Sequence, residues 1–505
     1  MEIITMKHYL KTIISLLTTC LLLSSCSDFL NQNPKDQLER LEALENQQNY
    51  YDALNGIYIL LGGNELFGHH LTYGILEQMA RNHAIDPASQ IFYWQYSGTE
   101  LKGTVTEIWN KMYSVIANVN SILDKIDAHK SIFDKGVYEL TKGELLTIRA
   151  FAHYTLVKLY APDYNVAPSA KGIPYRTVFK NPKITPFSSV EKVYSYILQD
   201  LDNAEGLLFQ YDPARKGFGD YSTGYPEIEG RGDIFRNRRM RFNYWCNIAI
   251  QARVYQSMNN YPKALEYANQ IIETTDILNW IREDKVSNTT ERDVIYWSEM
   301  ISGLHVPKLQ KYYESYFKSE TYSTTKNKKE SYFENQIFNA NTTGAFDYRL
   351  LYLFKKNSEL NNNTYTSLKY HQLNVSDIPV YDGYTLVPIV KLGEMYLIAA
   401  EALCQLNTDG NLNEPIGLLE TLRSKRGVIS GLENISTKEE LSDFILQEYR
   451  RECYLEGQLF YQYKRHNVQT MPDLTELGYM PVNEDTYVLP VPDVELEENE
   501  KDYEK

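Results

Sequence analysis

The sequence predicts an all-α protein of tetratricopeptide-type helix pairs, with long irregular loops and little β structure. Apolar residues recur three to four positions apart in several segments, which is the spacing of one helix face. Residues 242–274 and 393–424 each have the form of two helices joined by a short polar turn, with alanines where the helices would meet. A third pair with less regular spacing is expected within 145–208, and together these pairs predict a helical scaffold.

The helices can be placed in chain order from their periodicity and their end signals. The first is expected from residue 47 to the glycine pair Gly62-Gly63, which ends it. Helical spacing resumes over 109–126 and again over 144–160. A capping signature before the next apolar run then predicts a helix over 193–208.

Two long stretches lack a regular period. Residues 63–104 alternate glycine, histidine and aromatic side chains, and 278–390 are aromatic without helical spacing. Residues 163–187 are rich in proline, and 212–240 are rich in glycine and arginine, so both are expected as irregular connections. Long insertions on a regular scaffold usually carry the function, so the first two stretches are the candidate ligand-binding loops.

The start of the chain predicts export. Lys7 and Lys11 precede a short apolar run that begins at Ile13, and this order is typical of a secretory signal peptide rather than a membrane span. The run ends in Leu23-Ser24-Ser25-Cys26, where a cysteine takes the place of the expected cleavage site. This is the form of a bacterial lipobox, so Cys26 is the predicted lipidation site; the alternative is an ordinary signal peptide with an incidental cysteine.

The predicted domain organisation follows from this interpretation. Residues 1–25 would be the signal peptide and 26–44 a lipid-anchored tether. Residues 45–505 would form a single helical domain, with an N-terminal part over about 45–210 and a C-terminal part over about 242–505.

Charge and cysteine usage narrow the function. The formal net charge of −15 argues against nucleic acid as a partner. Once Cys20 is removed with the signal peptide and Cys26 is acylated, Cys246, Cys404 and Cys453 remain, each within an apolar helical pattern. Buried thiols are therefore expected rather than a disulfide framework, although the sequence leaves one pair among the three open.

No motif in the sequence indicates a catalytic centre, a cofactor or a metal site. Asn407, Asp409, Asn411 and Asn413 have the alternate spacing of a calcium loop but lack its glycine and its distal glutamate, so a plain helix-to-helix turn is expected. His69-His70 and His83 have no third ligand fixed by spacing and are expected to be solvated loop histidines. Paired carboxylates for glycoside hydrolysis stay open, because their separation is a property of the folded chain.

Aromatic side chains in the two loops are the candidate binding surface. Flat rings suit the apolar faces of sugars, and nearby amides and charges suit their hydroxyl groups. An alternative for each tryptophan is a core position at the base of its loop. The candidate ligand-binding residues are Arg81, Asn82, Tyr93, Trp94 and Tyr96 in the first loop, and Tyr296, Trp297 and Tyr312 in the second.

Several segments, in this order along the chain, resemble the SusD/RagB family of surface lipoproteins. They are Arg149-Ala150-Phe151-Ala152-His153-Tyr154, Ser189-Val190-Glu191-Lys192-Val193-Tyr194, Ala252-Arg253-Val254-Tyr255, Arg450-Arg451-Glu452-Cys453-Tyr454-Leu455-Glu456-Gly457 and Leu489-Pro490-Val491-Pro492. The charges of 450–456 are expected to form structural ion pairs rather than a catalytic site. The resemblance implies a SusD-like helical fold, a place at the outer-membrane surface and a SusC-like TonB-dependent transporter as partner.

Together these observations predict a non-enzymatic surface lipoprotein that captures a glycan or oligosaccharide and delivers it to the transporter. An oligopeptide is the alternative ligand, since the resemblance extends to members that carry peptides. Two readings of other classes stay open: a glycosidase on a helical body, and an adaptor that binds only protein.

The lipid anchor gives the first testable prediction. Cys26→Ala should abolish surface anchoring and leave the fold and the ligand affinity unchanged, because only the acylated thiol would attach the chain to the membrane. Whole-cell antibody labelling and incorporation of labelled fatty acid would measure this, with Ser27→Ala as the matched control. Undiminished surface labelling of the Cys26→Ala protein would contradict the assignment.

Overall fold

The computed structural model describes residues 44–82, 88–180, 184–218, 233–289, 292–317, 332–357, 364–370, 385–473 and 478–503. Over these ranges the chain is predominantly helical with few short strands, so the predicted fold class is confirmed. The signal peptide, Cys26 and all but the last residue of the predicted tether lie outside the described residues. No helix within the described ranges combines the length and the apolar character needed to cross a membrane.

The helices are numbered here in chain order. They are α1 Gln47–Leu61, α2 Ile75–Met79, α3 Thr99–Ile126, α4 Val137–Tyr160, α5 Val190–Tyr211, α6 Tyr244–Ser257, α7 Tyr261–Ile272, α8 Glu283–Ser287, α9 Leu309–Phe317, α10 Tyr348–Leu353, α11 Leu392–Leu406, α12 Asn413–Ser424, α13 Lys438–Glu452, α14 Leu459–Arg465, α15 Glu484–Tyr487 and α16 Asp493–Tyr503.

The strands form small antiparallel pairs. Strand β1 Lys171–Pro174 pairs with β2 Phe187–Ser189, β3 Met300–His305 with β6 Leu386–Lys391, β4 Phe354–Asn357 with β5 Thr364–Ser367, and β7 Thr470–Asp473 with β8 Gly478–Pro481. Of these, β3 and β6 are almost completely buried. They bring the two ends of the second irregular stretch together in the core.

The predicted helix pairs are present. Helices α6 and α7 pack against each other around a turn in which the Asn260 side chain accepts a hydrogen bond from the Lys263 N–H. The fully buried side chains of Ala252, Ala264 and Ala268 keep this contact close. Helices α11 and α12 form the second pair, and α4 packs along α5 as the third. Helix α11 also packs on α7, so two of the pairs form a continuous helical layer.

Three helices begin earlier than predicted: α3 and α4, and also α5, which starts at Val190 rather than at residue 193. Helix α3 starts at Thr99, ten residues before the predicted start, and the side-chain oxygen of Gln90 accepts a hydrogen bond from the Leu101 N–H there. Helix α4 starts at Val137, after Gly136 in the left-handed region (φ 87°). The first turn of α3 is largely exposed, and an exposed turn carries no apolar period that the sequence could reveal.

The three cysteines confirm the buried-thiol expectation. Cys246, Cys404 and Cys453 are all buried and free. Burial raises the pKa of the Cys246 thiol to about 12, so this side chain behaves as a small apolar group.

A buried network of charges, here called the Glu452 network, ties the C-terminal half together. The Arg426 guanidinium lies 2.6 Å from a carboxylate oxygen of Glu299 and 2.7 Å from one of Glu452. Glu452 also pairs with Arg349 at 3.1 Å and lies 3.9 Å from Lys391. Burial alone would raise the pKa of Glu452, but Arg426, Lys391 and Arg349 outweigh it and lower that pKa to about 2.

The network confirms a structural role for Arg451, Glu452 and Glu456, whose ion-pair partners lie outside the segment at 450–456. Arg451 pairs with Glu448 at 2.8 Å, and Glu456 accepts from Lys369 at 2.5 Å and from Lys391 at 2.6 Å. Arg450 has a different role, because its guanidinium donates to the Asn82 side chain. A second buried cluster joins Arg238 and Arg241 to Glu144 in the N-terminal half.

Arg426→Ala tests the importance of this network. The substitution removes two ion pairs and leaves two buried carboxylates with fewer donors, which should cost about 3–5 kcal/mol of stability. We expect a clear drop of the melting temperature in calorimetry. Arg282→Ala is the control, because Arg282 pairs with Asp284 on the exposed surface and should leave the melting temperature unchanged. Equal melting temperatures for the two variants would show that the network does not stabilise the fold.

Candidate functional site

A cavity of about 220 Å³ opens where the first loop, the start of α3 and the end of α9 meet. Its described lining combines aromatic rings, side-chain amides, one carboxylate and a few apolar side chains. The lining residues are His69, His70, Ile75, Gln78, Ser89, Gln90, Ile91, Glu100, Leu101, Thr104 and Tyr316.

Packed aromatic rings hold one wall of the cavity. The His69 ring lies 4.6 Å from Tyr316 and 5.0 Å from Tyr73, measured between ring centroids. Tyr73 in turn contacts Tyr313 at 6.3 Å and Tyr370 at 5.4 Å. Because Tyr73, Tyr313 and Tyr370 are buried, this cluster fixes the half-exposed rings of His69 and Tyr316 at the cavity.

The first loop reaches this wall through compact turns. The backbone N–H of Gly68 donates to the Gly63 carbonyl at 2.9 Å. A Cβ at position 68 would lie 2.4 Å from the Gly62 carbonyl oxygen, so the close approach of the chain requires glycine there. The short helix α2 follows, and it carries Ile75 and Gln78 to the cavity.

The polar side of the cavity comes from Gln90 and from one face of α3. Gln90 is held by its hydrogen bond to the Leu101 N–H, at 3.0 Å. Glu100 is exposed in the first turn of α3, where the helix dipole favours a carboxylate. Thr104 follows four residues later, on the same face of the helix. Amide, hydroxyl and carboxylate groups therefore line the same cavity as the aromatic wall.

His69 and His70 line the cavity and are only partly exposed, so the expectation of solvated loop histidines is wrong for both. Burial lowers the pKa of His70 to about 4, against a smaller opposite effect of Glu65, so its imidazole is neutral at pH 7. Glu65 itself lies 3.8 Å from the Lys111 ammonium group. Within the described ranges no group of three or more His, Cys, Asp or Glu side chains is placed to hold a metal ion. His83 lies outside the described residues.

Two of the predicted binding residues in the first loop, Arg81 and Asn82, are buried. Arg81 is fully buried, with a φ of 57°, and its guanidinium lies over the rings of Phe92 and Trp94. Asn82 donates to Glu77 at 2.6 Å and accepts from the Arg450 guanidinium at 3.1 Å. In this conformation neither side chain is available to a ligand. The Arg81 guanidinium instead donates to the Phe92 carbonyl within the first loop, whereas the Asn82 side chain holds this loop against Arg450.

The three aromatic residues of the first loop differ in exposure. Tyr93 is 55% exposed, and its ring meets the Phe92 ring edge-on at 4.8 Å between centroids. Trp94 is half-buried: its indole N–H donates to the Met79 carbonyl at 3.3 Å, and its ring lies 4.2 Å from the Arg81 guanidinium carbon. The Tyr96 hydroxyl donates to the Thr486 carbonyl at 2.6 Å. Tyr93 is therefore the most accessible of the three.

The binding residues predicted in the second loop lie in two separate parts of the structure. Tyr296 is buried against Arg426, and its backbone φ is 59°. Half-buried Trp297 follows it and packs over Arg239. Tyr312 lies instead on α9, one turn before Tyr316, so it stands beside the cavity. Apart from Tyr312, this group lies by the Glu452 network and not with the first loop.

Several cavity residues had no clear sequence signal. Gln78, Gln90, Glu100 and Thr104 are common polar residues in a stretch without a regular period. The four-residue spacing of Glu100 and Thr104 would indicate a shared face only if the start of α3 were known.

The asparagine-rich turn at 407–413 has the geometry of a helix-to-helix connection. Asn407 Oδ1 accepts from the Gly410 N–H at 2.7 Å, and Asp409 Oδ1 accepts from the Asn411 N–H at 2.9 Å. Asn411 Oδ1 accepts from the Asn413 N–H at 3.1 Å. The side-chain oxygens thus accept from the backbone of their own turn, as in an Asx turn.

Glu77 lies behind the cavity and connects it to the C-terminal half. Its carboxylate is fully buried and accepts from Asn82 at 2.6 Å and from the Gly457 N–H at 2.9 Å. Burial raises the pKa of Glu77 to about 7, against the lowering effect of these hydrogen bonds and of Lys369. The neighbouring residue Gln78 lines the cavity.

Glu77 should therefore make stability depend on pH. Its pKa is higher in the folded state than the usual 4.5, so its contribution is fully present below pH 4.5 and is lost as the pH rises to about 7. The loss is of order 3 kcal/mol. Melting temperatures of wild type and Glu77→Gln between pH 4.5 and 7.5 would measure it, with Glu107→Gln on exposed α3 surface as the control. Parallel pH profiles for wild type and Glu77→Gln would contradict this prediction.

Two family models match the chain. One, described as starch-binding and associating with the outer membrane, matches residues 28–212. The other, described as the SusD family, matches residues 309–504. The two matched ranges do not overlap, and together they include all of α1 to α5 and all of α9 to α16.

Two curated relatives of the chain are also described as SusD-like proteins. SusD-like protein P38 of Formosa agariphila is 25% identical over 409 residues, which are 71% of this chain and 72% of that protein. SusD-like protein P25 of the same organism is 23% identical over 264 residues, and the match spans 49% of this chain and 43% of that protein.

Solved structures share the fold. A SusD superfamily protein from Bacteroides thetaiotaomicron aligns with a TM-score of 0.66 at 21% identity, covering 90% of this chain and 98% of that one. A protein described as a SusD-like carbohydrate binding protein from Bacteroides vulgatus aligns with a TM-score of 0.65 at 20% identity, covering 90% and 97%. At these identities the likeness concerns the fold.

Proposed function

Because the chain belongs to the SusD family, we propose that it is a cell-surface lipoprotein that binds a glycan and passes it to a SusC-like TonB-dependent transporter. The cavity between the first loop, α3 and α9 is the proposed ligand site. Cys26 is the proposed lipidation site, and the domain at 45–505 would then be held at the outer membrane by its lipid.

The composition of the cavity lining is the observation that supports a glycan as the ligand. Tyr316 and His69 offer flat ring surfaces, which match the C–H faces of a sugar. Gln78, Gln90 and Thr104 offer amide and hydroxyl groups for its hydroxyls. The description of a related fold as a carbohydrate binding protein supports the same class of ligand.

The cavity lining favours ligand binding over catalysis. Glu100 is the one carboxylate among the described lining residues. Hydrolysis of a glycosidic bond ordinarily requires a pair of carboxyl groups at a defined separation. The chain would therefore capture the glycan, and other proteins would carry out any hydrolysis of it.

Of the aromatic residues predicted to bind the ligand, Tyr93 and Tyr312 have accessible rings nearest to the cavity in the chain. Tyr312 stands one helical turn from the cavity residue Tyr316, and Tyr93 follows the cavity residues Gln90 and Ile91. We assign both to the rim, where they would contact parts of the ligand outside the cavity. Trp94, Tyr96 and Trp297 contribute at most their exposed edges.

A blocking substitution tests the proposed site. Thr104→Trp should fill the cavity and weaken glycan binding by at least about tenfold, because the indole would occupy the space of the ligand. Isothermal titration against a panel of soluble oligosaccharides would measure it. Asn110→Trp is the matched control, since Asn110 is exposed on the same helix and does not line the cavity.

Titrations with the same oligosaccharides also distinguish the proposed function from its alternatives. Equal affinities for wild type and Thr104→Trp would reject this cavity as the site. Binding of oligopeptides but no glycan, or release of shorter sugars from the panel by the purified protein, would reject the proposed function. Co-purification with a TonB-dependent barrel from native membranes, lost when that barrel is deleted, would test the partner.

A further inference from the structure

The start of α3 is capped by a side chain from the first loop. Gly98 is the N-cap residue of α3, and a glycine has no side chain that could accept from the first helical turn. The Oε1 atom of Gln90 accepts from the Leu101 N–H instead, at 3.0 Å. Leu101 is the third residue of α3, and its N–H is one that an N-cap side chain ordinarily satisfies. Gln90 therefore takes the place of an N-cap side chain.

The backbone of the first loop holds Gln90 in position for this contact. The Gln90 carbonyl accepts from the Gln95 N–H at 2.9 Å, and the Gln95 carbonyl accepts from the Gly98 N–H at 2.9 Å. Gly98 also leaves the space that the amide occupies, because a Cβ at this position would lie 2.3 Å from the Gln90 Cδ atom. The absence of a side chain at Gly98 is thus what allows the Gln90 amide to reach α3.

The cap joins two walls of the cavity. Gln90 lines the cavity from the first loop, whereas Leu101 and Thr104 line it from α3. The first turn of α3 has a second polar contact, the ion pair of Lys102 with Asp493 at 2.7 Å, but both of these side chains are exposed. Exposed ion pairs contribute little to stability, so the Gln90 cap is the stronger of the two contacts.

We propose that Gln90 is a positioning residue, which through its cap on Leu101 holds the first turn of α3 in the conformation that binds the ligand. This inference rests on the proposed function and identifies a determinant of affinity at the same cavity. Without the cap the first turn frays, and a ligand must then order that turn when it binds. Ligand binding and protection of the Leu101 N–H are therefore coupled, and each favours the other.

Hydrogen exchange of the Leu101 N–H tests the cap in the ligand-free protein. Exchange should be at least about threefold faster in Gln90→Ala, because the donor loses its acceptor from the first loop. Gly98→Ala should act in the same way, since its Cβ would displace the Gln90 amide. Gly103→Ala is the matched control: it makes the same change in α3, and its Cβ would meet no described atom within 4 Å. Exchange as slow in Gln90→Ala as in wild type would overturn the proposal.

Calorimetric titration with the oligosaccharides that bind the wild type tests the link to the ligand. Gln90→Ala and Gly98→Ala should each weaken the affinity by at least about threefold, and Gly103→Ala should leave it unchanged. A saturating oligosaccharide should slow exchange of the Leu101 N–H in the wild-type protein. Unchanged affinity in both cap variants would overturn the proposal.

A substitute cap separates positioning from direct contact with the ligand. Gly98 has the extended backbone of an N-cap residue (φ −68°, ψ 140°), so a serine there can accept from the Leu101 N–H once the Gln90 amide is removed. The double variant Gln90→Ala/Gly98→Ser should recover slow exchange and an affinity within about twofold of wild type. Slow exchange with an affinity as weak as that of Gln90→Ala would overturn the proposal, because Gln90 would then act by touching the ligand.

The wild-type protein distinguishes failure of this proposal from failure of the proposed function. If the wild type binds no oligosaccharide, the proposed function is rejected, and the role of Gln90 in binding is rejected with it. If Thr104→Trp blocks binding but the two cap variants bind as tightly as wild type, only the positioning role is rejected.

Discussion

The folded chain depends on the rule that a buried charge must be paired. Glu452 and Arg426 are both fully buried, and each carries several charge-assisted hydrogen bonds. Their partners come from distant parts of the sequence: Glu299 before β3, Arg349 in α10 and Lys391 at the end of β6. Removal of a member leaves its buried partners with fewer compensating charges in a medium that solvates charge poorly. The irregular stretch between α7 and α11 is therefore held to the helical layer by electrostatics as well as by apolar packing.

The end of α13 and the turn that follows it also contact the loop that forms the candidate site. Arg450 donates to the side chain of Asn82 and to the carbonyl of Arg81, and the Gly457 N–H donates to Glu77. Glu77 and Asn82 flank the end of α2, which carries Gln78 into the cavity. The shape of the cavity is thus set from behind by polar contacts with the C-terminal half. A site built this way is pre-organised, so a ligand need not order the first loop when it binds.

Aromatic residues serve two purposes in this fold, and their exposure separates them. Tyr73, Tyr313 and Tyr370 are buried and form the packing behind the cavity, whereas the neighbouring Tyr316 faces it. Arg81 stacks under Phe92 and Trp94 and stabilises the first loop rather than offering a contact to a ligand. The high tyrosine content therefore reflects core and surface together, because the ring packs while the hydroxyl finds a hydrogen-bond partner.

The amino-acid sequence by itself determined the helical class, the paired helices at 242–274 and 393–424, and the structural role of the charges at 450–456. These features rest on local spacing and on residue types that have few ways to be buried. Only the tertiary structure decided which aromatic residues are accessible, and that Gln78, Gln90, Glu100 and Thr104 meet Tyr316 at one cavity. These side chains come from α2, from the turn before α3, from α3 and from α9. Their meeting depends on how distant elements pack, and the spacing of residues within one segment does not encode it.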